Sequence, residues 1–353
     1  MAITYHAGRR LQGTNDPSAN YGTKSIDGSY TVLQFTESGV FTPTSAFDVD
    51  YLVVGGGGGA GQMGGGAGGM LSSLTASGGG SIQSKLSVSA GNYAITVGAG
   101  GTAGGFTTIG GQGNNSSIST NVIALGGGYG GYGAATGSTA ESADGGSGGG
   151  AQGGSWYPNP SVNYGAGTTN QGYHGGQATY GSDNYTSGGS GGGAGGIGGN
   201  AFTSTSASSY GGLGGVGVQN SISGTATWYA AGGGGGTEGS VSSGWVAVNG
   251  IGGKGKYSGG TETAGVANSG SGGGGTLNST GVGAGGSGIV ILRFLTSDAI
   301  FHPSTSQVGS RFEETDTRKM YHRDDVDFKE ENGNEATNYR SASWYEQLSG
   351  ETP

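Results

Sequence analysis

The stretch "VDYLVVGGGGGAGQMGGGAGG", beginning at Val49, drives an apolar strand straight into glycine. Glycine loses more backbone freedom on folding than any other residue, about 0.5–1 kcal/mol relative to Ala. The chain carries 90 glycines in 353 residues, a handicap on the order of tens of kcal/mol. Either these tracts stay unfolded, or they build a structure that only glycine can form.

Composition bears on that choice. With 6 Pro added, Gly and Pro exceed a quarter of the chain, a level typical of low complexity. Disordered chains are also highly charged and poor in aromatics. Here charged residues are 10% and there are 18 Tyr, 9 Phe and 4 Trp. A flexible linker explains glycine and serine but not the rings. The net charge of −9 argues against a nucleic-acid groove, which needs a basic footprint. Without cysteine there is no disulfide framework or thiolate site. "MAITYHAGRRLQG" lacks a signal-peptide core, and no run approaches the roughly 18 apolar residues of a membrane span. The expectation is a soluble protein made in a cytoplasm.

Three territories follow. Residues 1–54 read as a β meander, with strands over 30–35 and 51–54, a turn at "TESG" and a short edge strand at "GVFTPT". Residues 55–287 are the glycine territory, with strands interleaved at "SIQSKLSV", "NYAITVGAGG" and "NVIALGGG". "GIVILRF" closes it over 288–295. Residues 296–353 hold most of the charge and read as a β-hairpin module (arms at 311–314 and 319–323) with a last strand near 343–347. No amphipathic helical period appears. The expected fold is mainly β and irregular. A small β-sandwich core carries a glycine-rich excursion of packed polyglycine II-type helices, with essentially no α-helix.

The excursion has a geometric test. A left-handed threefold helix has about three residues per turn, rises about 3.1 Å per residue and makes no internal hydrogen bonds. Bare faces let such helices bond to one another. In "GGSGGGAGGIGG" (188–199) one row of every third residue is pure glycine and another has a single Ser; the third carries Ala194 and Ile197. As one rod this tract spans roughly 37 Å. The row Gly55, Gly58, Gly61, Gly64, Ala67 is equally bare. Collagen is excluded by the scarcity of Pro, and a calcium β-helix by the scarcity of Asp.

"VDYLVVGGGGGAG" entering, "GNYAITVGAGG" within and "GGSGIVILRF" leaving resemble the glycine-rich domain of tailed-virus fibre and adhesin proteins. The resemblance covers about 50–295. It implies polyglycine helices stacked into a sandwich, with tip loops that bind the host surface. "GSRFEETDTRKMYHRDD" is similar to short β modules of virion structural proteins.

Catalytic and cofactor motifs are weak. Gly56-x-Gly58-x-x-Gly61 follows a strand, but "QMGGGAGGM" is a poor helix and the next acid after Asp50 is Glu141, so the dinucleotide pattern fails. "GIGGKGKY" from Gly250 has Tyr257 where a phosphate loop needs Ser or Thr. His6, His174, His302 and His322 lack metal-ligand spacing. Asp324, Asp325 and Asp327 read as a solvated hairpin end rather than a catalytic carboxylate pair. No nucleophile elbow is present. No catalytic residue, cofactor or metal is expected.

The remaining constellation is aromatic: Tyr129, Tyr132, Trp156, Tyr157, Tyr164, Tyr173, Tyr180, Tyr185, Trp228, Tyr229 and Trp245, all in breaks between glycine tracts. Tyr and Trp amid Ser, Gly and Asn give rigid contact area at low entropy cost. The alternative is that these rings cover the outside of the glycine layers. The expected function is a non-enzymatic virion protein, a tail-fibre or adhesin tip binding a host-surface glycan or protein through these rings. It would sit on the virion surface after synthesis in the host cytoplasm, and a homo-oligomer, a trimer by analogy, is implied. Neither nucleic acid nor membrane insertion is expected. The alternatives are a subunit of a capsid-decorating fibre or extracellular filament and, third, a surface-polysaccharide-degrading enzyme.

Overall fold

A computed structural model describes residues 4–6, 10–12, 18–105, 108–132, 142–151, 164–180, 186–203, 209–237, 249–257, 260–276, 283–299, 311–313, 320–323, 328–329 and 345–347. The chain divides into two units, Pro17–Ala299 and a second that joins Met1–Asp16 to Ile300–Pro353. In the second, Thr4–His6 pairs antiparallel with Arg10–Gln12. There Met320–Arg323 pairs with Arg311–Glu313, Phe328–Lys329 and Tyr345–Gln347.

The larger unit is built on a nine-stranded, nearly closed sheet. Its strands are β1 (Ser18–Asp27), β2 (Tyr30–Thr42), β3 (Phe47–Val54), β4 (Met70–Ser72), β5 (Leu86–Val88), β6 (Tyr93–Thr96), β7 (Ser116–Ile118), β8 (Val122–Ala124) and β9 (Ile289–Leu295). The order is β8-β7-β6-β2-β9-β3-β4, with β1 paired to β2 and β5 to β3. The entering strand β3 and the leaving strand β9 are therefore neighbours, Val54 facing Ile289. Among the described residues helix is confined to a 3-10 turn, Thr296–Ala299.

Both faces of the central strands are buried, which explains their unbroken apolar runs. On one face Leu33, Phe35, Tyr51, Val53, Val290 and Leu292 pack inside the sheet with Ile95, Ile118 and Val122. Phe41, Phe47 and Phe294 close that interior, with ring centroids 5.2–6.5 Å apart. On the other face Val32, Leu52, Val54, Ile289 and Ile291 meet Ala67, Ala194, Ala230, Ile222 and Tyr229 from the glycine territory. The buried Asp50 carboxylate accepts from Lys85 Nζ and Ser73 Oγ, each at 3.0 Å, so its charge is paired.

One expected turn is absent. "TESG" lies inside β2, which runs unbroken for 13 residues. The register with β1 jumps there: Asn20 faces Val40, but Gly22 faces Phe35. Thr36, Glu37 and Ser38 are exposed, so polar residues swell outward as a bulge without ending the strand. Past the bulge β2 pairs with β6 rather than β9.

The glycine territory stacks on this sheet as short antiparallel and parallel segments. Its order is in the main-chain hydrogen bonds. Gly55 and Gly58 donate to Gly69 and Gly66, Gly56 and Gly59 to Asn114 and Gly111, Gly57 and Ala60 to Gly286 and Gly283, all at 2.8–3.0 Å. Every third amide thus points at the same neighbour. The carbonyls repeat the pattern. Gly56 and Gly59 accept from Gly127 and Gly130, Gly57 and Ala60 from Gly101 and Gly104, Gly58 and Gly61 from Gly273 and Thr276. Segment 55–61 therefore sits among three donor-side and three acceptor-side neighbours. Segment 64–69 repeats this: its amides alternate among residues 189–192, 270–273 and 125–128.

Glycine is required here for closeness, not for an unusual backbone angle. The described glycines with positive φ are Gly28, Gly79, Gly91, Gly224, Gly250 and Gly270, and apart from Gly270 none lies within the segments above. A Cβ on Gly58, Gly65, Gly191 or Gly233 would fall within 3.0 Å of the carbonyl of Gly128, Gly58, Gly65 or Gly273, respectively. Alanine occurs where a methyl has a hole to fill, as at Ala67, Ala194 and Ala230 against the sheet.

The tracts are not single rods. Residues 55–69 fold back through a bend at 61–63, and 188–199 through a bend at 194–196, where Gly193 N donates to Gly196 O. The physical reason is the partner supply: each segment is only as long as the neighbours that satisfy its amides.

Gly65→Ala should cost about 1–3 kcal/mol through overpacking, read as a fall in melting temperature. Gly196→Ala should stay within about 0.5 kcal/mol of the parent, because its added Cβ meets only Val216, the side-chain Cγ2 at 3.1 Å and the amide N at 4.0 Å. Equal losses at both sites would contradict the packing described. Burial raises the phenol pKa of Tyr51 above 10.0. Burial also raises that of Tyr229, against lowering by hydrogen bonds with Thr227 and Ser223. The folded chain then holds protons that the unfolded chain releases, so stability should fall as pH rises past about 10. In alkaline denaturation Tyr51→Phe should make that fall shallower.

Candidate functional site

Among the described residues, the rings that sequence singled out fall in separate places on the stacked segments. Tyr129 and Tyr132 are half-buried, three residues apart on the segment that begins after β8. That spacing puts them on one row of the repeat. The row lies toward the end remote from the sheet, since Gly61 N bonds Gly130 O between them.

Tyr164 stacks on His174, with centroids 4.6 Å apart and planes at 26°. His174 Nδ1 donates to the carbonyl of Gly175 at 2.8 Å, which orients the imidazole. Tyr173, next in sequence, is 37% exposed. Asp144 braces this region through its carboxylate, which accepts from Ala166 N at 2.6 Å.

Trp228 and Tyr229 are elsewhere. They lie on the hairpin of Val218–Asn220 and Thr227–Tyr229 at the sheet end of the stack. Tyr229 is 4% exposed and packs on Leu52 and Ile291, so its ring is a core element. Trp228 is 40% exposed. Tyr180 falls on the strand Thr179–Tyr180, paired with Thr186–Ser187. Trp156, Tyr157, Tyr185 and Trp245 lie outside the described residues.

Sequence reasoning passed over a second apolar feature. A groove is lined by Gly199, Asn200, Phe202, Tyr210, Gly211 and Leu213. Phe202 is 63% exposed and Leu213 42%. The signal was there in "YGGLGGV", where Tyr210, Leu213 and Val216 recur every third residue. In a threefold segment such residues share one face.

The nucleotide-like motifs are consumed by the stack. Gly56, Gly58 and Gly59 donate their amides to Asn114, Gly66 and Gly111, and Gly253 and Lys256 donate theirs to Gly272 and Gly275. A phosphate cradle needs such amides facing a ligand. Lys254 Nζ sits 4.7 Å from the Tyr257 ring centroid. Among the described residues no three His, Asp or Glu side chains gather as a metal site. Asp324, Asp325 and Asp327 lie outside the described residues.

No curated protein and no solved structure is significantly similar to this chain. A family model described as a glycine-rich domain matches residues 36–295, from the middle of β2 to the end of β9. That span takes in both the stack and the strands on which it is built, and the chain belongs to this glycine-rich domain family.

Proposed function

We propose that the chain is a non-enzymatic virion surface protein, a tail-fibre or adhesin tip that binds a host-surface glycan or protein. Its stack is read as polyglycine II, the glycine counterpart of the threefold left-handed helix. The observation that carries the polyglycine reading is the hydrogen-bond period. Amides of residues 55–60 address three neighbours in strict rotation and the carbonyls of 56–61 address three others. An extended strand would address two neighbours in alternation.

The adhesin reading is supported by what such a stack does mechanically. It is anchored to the sheet through Val54, Met70, Ala124 and Ile289. Loops on a rigid scaffold are where binding residues concentrate. In the sequence, 152–163 joins two glycine tracts, and "SWYPNPSVNY" there is rich in rings and turn residues. The resemblance of the entry and exit motifs to tailed-virus adhesins points the same way.

Two measurements test the two parts. Native-state hydrogen exchange should show the amides of Gly58, Gly65 and Gly233 opening only with global unfolding; rapid local exchange there would rule out the stack. Replacing both Trp156 and Tyr157 by Ala should weaken attachment to host cells about tenfold or more while the melting temperature holds. Undiminished attachment by the folded double variant would remove the adhesin reading.

A further inference from the structure

We propose that Asn249–Gly250 is a site of spontaneous covalent modification, where the folded chain converts its own asparagine amide to a carboxylic acid through a cyclic imide. The inference stands apart from the adhesin reading and survives if that reading fails.

Two observations meet at this pair. The first is the asparagine. Asn249 Oδ1 and Nδ2 are both buried and have no hydrogen-bond partner among the described residues. Asparagines followed by small residues elsewhere are tied down. Asn115 Oδ1 accepts from Gly126 N and Asn200 Oδ1 from Gln177 N, each at 2.8 Å. Asn220 Nδ2 donates to Ser72 Oγ and Thr75 Oγ1, and Asn268 Oδ1 accepts from Ser287 Oγ. Those bonds must break before the side chain can turn onto the main chain. At Asn249 there is none to break.

The second is the glycine. Gly250 is exposed at a turn with φ +74°, and nothing lies within 4 Å of the Cβ position it lacks. Its amide makes no main-chain hydrogen bond among the described residues. The nitrogen that must attack is therefore unhindered, and its proton is not held by a carbonyl. The chain's other Asn-Gly pair, Asn332–Gly333, lies outside the described residues.

The step needs water and nothing else. The Gly250 nitrogen gives up its proton and bonds to Asn249 Cγ. The Cγ–Nδ2 bond breaks, and the side-chain nitrogen leaves as ammonia with that proton. Water then opens the imide at either carbonyl, which yields aspartate or isoaspartate. No atom changes its oxidation state through an outside reagent.

The product bears on the fold. A Cβ on Gly217 would meet both the Tyr229 carbonyl oxygen and Asn249 Nδ2, so these two groups crowd one flank of the same segment. Exchanging Nδ2 for oxygen puts a carboxylate near a carbonyl in a buried place, where an unpaired charge is costly. Conversion thus loosens the hairpin of Val218–Asn220 and Thr227–Tyr229, slowly and in one direction.

The test is peptide mapping by mass spectrometry on the folded full chain, incubated at neutral and at mildly alkaline pH. Asn249 should convert at least about tenfold faster than Asn115, Asn200, Asn220 and Asn268, the rate ratio for about 1.4 kcal/mol of barrier. Conversion should quicken at the higher pH, because the attacking amide must shed its proton. In water enriched in heavy oxygen the new carboxyl should carry the label. Asn249→Gln, which would need a larger ring, should stay unconverted, and Asn249→Asp should melt below the parent, as the aged chain does. An Asn249 that stays intact in the folded chain while the denatured chain converts would overturn the proposal. So would conversion no faster than at the hydrogen-bonded asparagines. An Asn249→Asp variant that melts with the parent would remove the loosening of the hairpin.

Discussion

The glycine stack is held by main-chain hydrogen bonds between segments that no side chain separates. A buried amide left without a partner costs about 1–3 kcal/mol, and a stack of chains buries many. Each amide described in segments 55–61 and 64–69 is matched by a carbonyl from a neighbour. That match is possible only where backbones touch, and the would-be Cβ positions show how little room remains. The entropy handicap of glycine is offset by a lattice that a side chain enters only where a hole or an outer face admits it, as at Ala67.

Such a lattice cannot choose its own beginning, since glycine segments are alike on every side. The sheet supplies the asymmetry. β3 and β9 fix where the first and last segments start, and their second face offers Val32, Leu52, Val54, Ile289 and Ile291 as a floor. Ala67, Ala194 and Ala230 dock on that floor, so small methyls mark the level at which each segment sits. The paired Asp50 and Lys85 and the ring cluster of Phe41, Phe47 and Phe294 hold the sheet itself.

Much of this was legible in sequence, and the gaps have physical causes. "DYLVV" and "GIVILRF" read as paired entry and exit because each holds an unbroken apolar run, 51–54 and 289–292, as strands covered on both faces do. The mainly β class and the bare threefold rows were equally open to reading. The bends at 61–63 and 194–196 were not, because glycine bends as readily as it runs straight and no residue type marks the change. β1 was missed because "SANYGTKSID" carries little apolar alternation; it pairs along an edge of β2. Among the candidate rings, sequence grouped Tyr229 with its exposed neighbours, although the alternation of the hairpin turns Trp228 out and Tyr229 in. The apolar residues Tyr210, Leu213 and Val216 escaped notice because the threefold rows were read for bare glycine faces and not for the side chains that share the remaining row.

Along the outer segments the inward and lateral positions of each turn are closed to change, while the third faces water. Ile197 and Leu213 occupy that open position. A lattice that reads only the main chain leaves this one site per turn blank. Evolution can rewrite the coat of such a protein, turn by turn, without the frame beneath it registering any difference.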